Sequence, residues 1–246
     1  MPESPPPYDL LTGASLFLDF DGTLVEIAER PDAVVVDPRI GTLLARLADR
    51  LDGRLALVSG RPAGQIRALL PDARFTVVGS HGMEYHHADG RRDIAGRPSA
   101  LTTVLAEAEA FAAGRPGLLI EDKPLGVAFH YRQAPGEAES CHVLARELAD
   151  RHGLLFQPGK MLVELRAPGG DKGAAVRSLM TEPKLASGRP LFMGDDETDE
   201  PGFAAAGALN GAGILVGPDR PSAASFRLAD VGGALDWLEA AVERLP

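Results

Sequence analysis

The sequence predicts an α/β protein with a core of parallel strands and an α+β insertion within that core. Short apolar runs alternate with helix-like segments in the first third of the chain and again after about residue 168. Between these parts, strand-like segments follow one another with few helices, which is typical of an antiparallel sheet. Several apolar runs end in Asp, Gly or Ser, as expected where parallel strands reach a ligand-binding edge.

The first part of the predicted core opens with a buried strand at 15–20 that enters an Asp-Gly-Thr turn. A helix is predicted over 38–51 because apolar residues recur there at helical spacing, and Asp37 is its candidate N-cap. The next elements are a strand at 54–58, a helix that ends near Leu70 and a strand at 75–78.

The insertion is predicted at 86–167, which leaves 1–85 and 168–246 as the core. Its expected elements are a hairpin around Asp89-Gly90 that starts near Met83, helices at 99–112 and 137–152, and strands at 117–122, 125–132, 154–157 and 160–166. The later elements of the core are a helix from Asp171, a strand at 191–193, a helix from about Pro201, a strand at 213–216 and a helix at 234–245.

Composition narrows the class of protein. The chain has 246 residues and a formal net charge of −10, which argues against nucleic acid or an anionic membrane as its main partner. Cys141 is its single cysteine, so no disulfide can form within the chain. No apolar run is long enough to cross a bilayer, and Met1–Asp9 lacks the pattern of a signal peptide. We therefore expect a cytoplasmic protein, with its oligomeric state left open and a monomer as one option.

The acidic pair Asp19 and Asp21 ends the first predicted strand. Residues two apart on a strand share a side, so both carboxylates point toward the same place at the edge of the sheet. Two carboxylates there would repel each other unless a cation joined them, and oxygen ligands favour Mg²⁺. With a phosphoryl group present, one Asp could attack phosphorus while the other transfers the proton.

Three further motifs suit the same chemistry. Asp195 begins an acidic run after another apolar strand, where a metal would need carboxylates. Lys172 lies at the start of a helix, and its compact positive charge would balance a phosphate crowded by acids. Ser59 closes a third strand and could donate to phosphoryl oxygens.

This order of motifs resembles the haloacid dehalogenase-like superfamily of phosphotransferases. The resemblance implies a Rossmann-like core, a cap domain in the insertion and Mg²⁺ as cofactor. It implies that Asp19 is the nucleophile, and that Ser59 and Lys172 bind the phosphoryl group. Asp19 and Asp195 would hold the metal by their side chains and Asp21 by its carbonyl oxygen. Asp196 and Asp199 would support the metal site from around it.

Other motifs resemble the trehalose-6-phosphate phosphatase family from residue 15 onward. They are Ser59-Gly60-Arg61, Gly79-Ser80-His81-Gly82, the acidic run 194–200, Glu121-Asp122-Lys123, His130-Tyr131-Arg132, Lys160 and Glu164-Leu165-Arg166. The chain departs from the family pattern at Ala167, where proline is common. The resemblance implies hydrolysis of trehalose 6-phosphate, and substrate contacts from Arg61, His81, Glu121, Lys123, Arg132, Lys160 and Glu164.

Strand spacing in the insertion agrees with a sugar-binding face. On the predicted strand 160–166, Lys160, Glu164 and Arg166 share one face, opposite three apolar residues. Glu121 and Lys123 fall together in the same way. Carboxylates and ammonium groups are suited to sugar hydroxyls, although a solvated outer face is the common alternative.

Other functions stay open at this point. The substrate could be sucrose 6-phosphate or mannosyl-3-phosphoglycerate, because capped relatives share the core motifs. A phospho-accepting receiver domain or an inactive sugar-phosphate sensor are alternatives of another class. The histidines do not have zinc-site spacing, and His86 and His87 are expected to be exposed in the hairpin.

Overall fold

The protein is described here by a computed structural model, which covers residues 5–28, 30 and 33–245. The first four residues of the proline-rich start therefore lie outside the described part of the chain. The strands are β1 Ala14–Leu18, β2 Leu55–Val58, β3 Thr76–Gly79, β4 Glu84–His86, β5 Arg92–Ile94, β6 Leu119–Lys123, β7 Gly126–His130, β8 Leu155–Gly159, β9 Leu162–Arg166, β10 Arg189–Gly194, β11 Ala212–Val216 and β12 Phe226–Leu228. The helices are α1 Pro38–Arg50, α2 Ala63–Leu69, α3 Ala100–Ala112, α4 Ala138–His152, α5 Lys172–Leu179, α6 Pro183–Ala186, α7 Glu200–Ala208 and α8 Val231–Val242.

An eight-stranded sheet forms the core in the order β12-β11-β10-β1-β2-β3-β4-β5. From β12 to β3 neighbouring strands are parallel, and β4 joins β3 in the antiparallel sense. The central strand β1 is buried along its whole length, as expected for a parallel strand with helices on both faces. β1 lies between β10 and β2, so the residues after these three strands meet at one edge.

The chain divides into two compact units, Met1–Asp93 with Gly170–Pro246 and Ile94–Gly169. The second unit has its own four-stranded antiparallel sheet in the order β6-β7-β9-β8. One face of that sheet packs its apolar side chains against α3 and α4, and Val127, Phe129, Leu148 and Val163 are fully buried there. The predicted α/β core with an α+β insertion is confirmed.

Local sequence signals explain where several helices begin. The carboxylate of Asp37 accepts a hydrogen bond from the Arg39 N–H at 2.9 Å, and Pro38 occupies the first helical turn of α1. Asp171 caps α5 in the same manner through the Ala174 N–H at 2.6 Å. The cap predicted at Asp37 is thus confirmed. No helix among the described residues is long and apolar enough to span a bilayer.

Some local expectations were wrong. His86 and His87 are each only 7% exposed, because β4 extends the core sheet and is covered rather than projecting as a free hairpin. Lys160 lies in the β8–β9 turn, because Met161 adopts a left-handed backbone and β9 begins only at Leu162. It therefore does not share a strand face with Glu164. The short elements α6 and β12 were not predicted, since four and three residues carry little periodic signal.

Candidate functional site

The carboxyl edge of the core sheet collects the polar residues that follow three adjacent strands. Asp19 directly follows β1, and its N–H donates to the Met193 carbonyl of β10 at 2.9 Å. Asp195 follows β10 itself. Ser59 follows β2, and its N–H donates to the Val78 carbonyl at 2.9 Å. The parallel pairing of these strands therefore brings together residues that are far apart in the sequence.

A buried cluster of charges lies at this edge. Asp19, Asp195 and Asp199 each offer a carboxylate oxygen within 4.8 Å of the others. Lys172, which is 3% exposed, places its Nζ 2.8 Å from Asp19 Oδ1 and 2.6 Å from Asp199 Oδ1. Burial raises the pKa of Asp19 well above its usual range, and Asp199 and Asp195 add to this while Lys172 opposes it.

The ammonium group of Lys172 stays protonated in this cluster. Burial alone would lower its pKa, but the neighbouring Asp19 and Asp199 carboxylates raise the pKa above its ordinary value. One positive charge thus faces three carboxylates. The cluster has an excess of negative charge that a dication or the proton of a carboxylic acid would balance.

Both carboxylate oxygens of Asp199 accept hydrogen bonds from other groups of the protein. Asp199 is 0% exposed, and its Oδ2 accepts hydrogen bonds from the N–H groups of Asp195 at 3.0 Å and Asp196 at 2.9 Å. Its Oδ1 accepts from Lys172. Asp196 accepts from the Glu197 N–H at 2.7 Å and caps the short helical turn that follows. Asp199 therefore fixes the loop and the lysine, which leaves Asp19 and Asp195 as candidate metal ligands.

The donor set fits Mg²⁺. Carboxylate oxygens are the ligands that this hard cation prefers, and one or two of them are typical of its protein sites. Gly22 packs closely against Asp195, since a Cβ at Gly22 would lie 2.2 Å from Asp195 Oδ2. Gly22 also has φ +82, a conformation that glycine adopts without strain. A side chain at this position would displace the Asp195 carboxylate.

Asp21 and Arg61 form a bidentate ion pair beside the cluster. Arg61 Nε donates to Asp21 Oδ2 at 2.6 Å, and Nη2 donates to Oδ1 at 2.8 Å. Such a pairing fixes both the position and the plane of the carboxylate. Ser59 Oγ accepts a hydrogen bond from the Arg61 N–H at 3.2 Å. Arg61, which was predicted to bind substrate, here positions the carboxylate predicted to transfer the proton.

His81 is buried against the loop that carries Ser59. Its N–H donates to the Ser59 carbonyl at 3.0 Å, and its ring covers Gly60, where a Cβ would lie 2.6 Å from Cε1. Ser80 and His81 both have left-handed φ values, 49° and 56°. Two consecutive non-glycine residues in this region store backbone strain, which is typical of functional sites.

The second unit presents a polar sheet face opposite its apolar core. Glu121 and Glu164 pair with the same residue of β7, Ala128, from its two sides. Lys123 Nζ lies 2.5 Å from Glu164 Oε2, and His130 Nε2 lies 2.9 Å from Glu121 Oε2. We call Glu121, Lys123, His130, Glu164 and Arg166 the polar face.

The floor of the polar face consists of small residues of β7, Gly126 and Ala128. A Cβ at Gly126 would lie 2.7 Å from Glu164 Oε1, so glycine leaves space for that carboxylate. Arg132, predicted to bind substrate, is placed after β7 and donates to the Lys160 carbonyl at 2.9 Å. Lys160 is exposed in its turn.

Two structural contributors were missed in the sequence. Glu84 is 5% exposed in β4 and contacts the loops around Ser59 and Ser80. Arg220 pairs with Glu200 and donates to the Asp196 carbonyl at 2.9 Å, which ties a distant loop to the acidic turn. The only sequence signal for Glu84 was an acidic residue at alternate spacing with His86 in a strand.

Comparisons with known proteins point to one family. A family model described as trehalose-phosphatase matches residues 17–231. A curated trehalose-6-phosphate phosphatase from Escherichia coli (strain K12) is 38% identical over 225 residues, covering 91% of this chain and 84% of that protein. The crystal structure of a trehalose-6-phosphate phosphatase related protein is 28% identical, with a TM-score of 0.81 and coverage of 93% and 96%.

A more distant likeness concerns the fold alone. The crystal structure of a haloacid dehalogenase-like hydrolase from Bacteroides thetaiotaomicron matches with a TM-score of 0.65 at 17% identity. The match covers 92% of this chain and 98% of the other. The α/β core with its inserted second unit therefore shares its fold with that solved structure.

Proposed function

The chain belongs to the trehalose-phosphatase family of phosphoric monoester hydrolases, and we propose that it hydrolyses trehalose 6-phosphate to trehalose and inorganic phosphate. The observation that carries this proposal is the buried set of Asp19, Asp195 and Lys172 at the carboxyl edge of the core sheet. This set supplies a nucleophile, metal-binding oxygens and a cation for the phosphoryl group. The E. coli relative carries the same substrate in its name.

Asp19 is the proposed nucleophile. Its carboxylate oxygen attacks phosphorus, so that a bond from Asp19 to phosphorus forms as the ester bond to the sugar breaks. Asp21 enters this step protonated, with Arg61 still held at its other oxygen, and gives its proton to the departing sugar oxygen. A water molecule then attacks the phosphorus of the aspartyl-phosphate and gives a proton to Asp21, while the bond between Asp19 and phosphorus breaks and phosphate leaves. Each Asp thereby returns to its starting state.

The other core residues hold charge and geometry during these steps. Lys172 and the Ser59 hydroxyl donate to the phosphoryl oxygens, on which negative charge accumulates. Arg61 keeps the Asp21 carboxylate in a fixed plane. Asp19 and Asp195, with the Asp21 carbonyl, would hold Mg²⁺, with Asp196 and Asp199 in support. The metal, when bound, offsets charge on the transferring group.

The polar face of the second unit is the proposed sugar-recognition surface of a cap domain. Glu121 and Glu164 can each accept hydrogen bonds from two hydroxyls, while Lys123 donates. The rest of the predicted set of substrate contacts is Arg61, His81, Arg132 and Lys160. The small floor of β7 and the burial of Glu164 support this proposal, since a solvated face needs neither.

Phosphate release from trehalose 6-phosphate tests the proposal directly. We expect turnover with Mg²⁺ and its loss in a chelator, alongside much slower hydrolysis of sucrose 6-phosphate and mannosyl-3-phosphoglycerate. Comparable rates on all three would overturn the narrow specificity. A phosphorylated protein that accumulates without turnover would instead identify a receiver or sensor.

A further inference from the structure

Glu84 is a buried carboxylate that lies outside the catalytic set described above. It is on β4, where its side chain shares a side of the strand with His86, and Tyr85 packs on the other side. Its Oε2 accepts hydrogen bonds from the Ala63 N–H at 3.0 Å and the Ser80 hydroxyl at 3.2 Å. Its Oε1 lies 3.3 Å from His86 Nε2. A buried carboxylate is costly unless such donors compensate it, so its partners define its role.

The first partner is the start of helix α2. Pro62 precedes this helix and has no side chain that can cap it. Glu84 reaches across from β4 and accepts from the buried N–H of Ala63, the first helical residue, which has no acceptor within the helix. It thereby fixes the end of the loop 59–63, which carries Ser59 and Arg61.

The second partner is the strained pair Ser80 and His81. The Ser80 N–H donates to the Arg61 carbonyl at 2.9 Å, and the His81 N–H donates to the Ser59 carbonyl at 3.0 Å. The two loops also pack without space for a side chain between them, since a Cβ at Gly79 would lie 2.2 Å from the Ala63 nitrogen. Glu84 accepts hydrogen bonds from both loops, from the Ala63 N–H of the loop 59–63 and from the Ser80 hydroxyl of the loop 80–81.

One residue, Arg61, connects the loop that Glu84 fixes to the catalytic carboxylate of Asp21. Arg61 belongs to the loop that Glu84 fixes, and its guanidinium holds both oxygens of Asp21. A bidentate pair transmits the position of the arginine to the carboxylate. Misplacing a catalytic group by about 1 Å can lower a rate by about 100-fold.

We propose that Glu84 is a positioning residue for the phosphatase reaction: it locks the loops 59–63 and 80–81 together so that Arg61 presents Asp21 to the leaving-group oxygen. This role rests on the proposed function, in which Asp21 gives that proton. Glu84 itself touches neither substrate nor metal in this account. Its effect passes through Arg61.

The first experiment compares Glu84→Met with Glu84→Gln. The methionine keeps the volume but removes the acceptor, whereas the glutamine keeps an acceptor for Ala63 and Ser80. We expect kcat/KM for trehalose 6-phosphate to fall about 10- to 100-fold in Glu84→Met and to stay within about 5-fold of wild type in Glu84→Gln. Glu182→Gln is the matched control, because Glu182 pairs with a histidine of the same hairpin, His87, without contacting the loop 59–63.

The leaving group separates positioning from simple loss of structure. A sugar alkoxide needs the proton of Asp21 to depart, whereas nitrophenolate leaves without one. Glu84→Met is therefore expected to lose less than about 3-fold in kcat/KM for p-nitrophenyl phosphate. Equal losses on both substrates would overturn the positioning role. If Glu84→Met does not fold, Glu84→Asp, which withdraws the carboxylate by one methylene, enters the same comparison.

A double-mutant cycle tests the route through Arg61. In an Arg61→Ala background, Glu84→Met is expected to cost less than about 3-fold, because the link to Asp21 is already broken. An undiminished cost in that background would show that Glu84 acts elsewhere. A wild type without activity on trehalose 6-phosphate would overturn the proposed function as well, whereas an active wild type with an unimpaired Glu84→Met overturns the positioning role alone.

Discussion

At the scale of single residues, Lys172 holds the acidic cluster together. Its Nζ contacts Asp19 and Asp199 at once, and it is nearly inaccessible to solvent. A lysine suits this position because its ammonium is a compact charge, whereas a guanidinium would need a wider planar space. The chain has only four lysines, and the other three are Lys123, Lys160 and Lys184.

Lys172→Met should destabilise the fold, because it leaves buried carboxylates without their cation. We expect the free energy of unfolding to fall by about 3–5 kcal/mol in the presence of a chelator. Mg²⁺ should restore part of the loss, since a bound dication would supply positive charge to the same oxygens. Urea denaturation with and without Mg²⁺ measures both effects.

Lys184→Met is the control for this substitution. The Lys184 side chain is 59% exposed and lies 3.6 Å from Asp52 across the surface. Its loss should change the free energy of unfolding by no more than about 0.5 kcal/mol. A similar small change in Lys172→Met would contradict the role given to the buried ammonium.

Asp19→Asn tests the nucleophile. The amide cannot attack phosphorus, so we expect kcat to fall by at least about 1,000-fold while the fold is retained. Phosphate release measures the first effect and circular dichroism the second. Asp49→Asn, an exposed change on α1, should leave kcat unaltered. Substantial turnover by Asp19→Asn would contradict the role of Asp19 as the nucleophile.

At the scale of elements, side chains that alternate along the sheet of the second unit give it one apolar face and one polar face. Alternate residues of β7 either pack against α3 and α4 or form the small floor between charged neighbours. Val127 and Phe129 are in the first group, and Gly126 and Ala128 are in the second. A one-residue change of register would exchange the two faces, so the apolar core also fixes which side chains form the polar face.

Glu164→Ala should affect the natural substrate selectively. If Glu164 binds sugar hydroxyls, kcat/KM for trehalose 6-phosphate should fall about 10- to 100-fold, while that for p-nitrophenyl phosphate should stay within about 3-fold. Glu121→Ala is expected to behave alike. The two substrates are compared under the same metal and pH conditions.

Glu107→Ala provides the comparison within the same unit. Glu107 is on α3 and pairs with Arg151 at 2.9 Å, away from the polar face. Neither substrate should respond to its loss by more than about 2-fold. Equal losses on both substrates in Glu164→Ala would indicate that this carboxylate is structural.

At the scale of the whole molecule, the two compact units have separate apolar cores. The core sheet has one cluster on each face, and the second unit has its own cluster around α3, α4 and one face of its sheet. Cys141 lies in this last cluster and is 0% exposed. As the single cysteine of the chain, it reports on the second unit alone.

Cys141 should resist thiol reagents until the second unit opens. Burial raises the pKa of its thiol to about 11 from an ordinary value of 9.0, with Glu137 adding to the shift, so little thiolate forms near pH 8. The folded protein holds the thiol proton more tightly than the unfolded chain does. This contribution to the free energy of unfolding is present below about pH 9 and is lost as pH rises through about 11. Labelling by a thiol reagent at about pH 8, with and without urea, measures the opening.

A double variant, Cys141→Ala with Val143→Cys, is the control for labelling. Val143 is 49% exposed on the same helix, so its cysteine should react at once in the native protein. Equally fast labelling of Cys141 in native wild type would contradict the closed core of the second unit.

Much of the fold was predictable because it rests on short-range signals. The apolar run 15–20 and the cap at Asp37 predicted their elements closely, and the strand ends marked Asp19 and Asp195. The predictions failed where a distant partner decides the outcome. His86 and His87 are buried only because β4 pairs with β3. Lys160 lies outside the predicted strand because Met161 has a left-handed backbone conformation.

Short-range sequence patterns already specify the chemical groups and the elements of the chain: acids after strands, a lysine at a helix start and two sets of alternating elements. Their order along the chain indicated a phosphatase through its resemblance to a phosphotransferase superfamily, and the elements followed from pattern and spacing, which are local properties. Which charges face each other depends on how distant segments pack together. The pairing of Asp21 with Arg61, the enclosure of Asp199 by backbone donors and the bridging position of Glu84 all depend on strands and loops that meet across tens of residues. Burial and hydrogen-bond geometry, which no single segment encodes, set these roles.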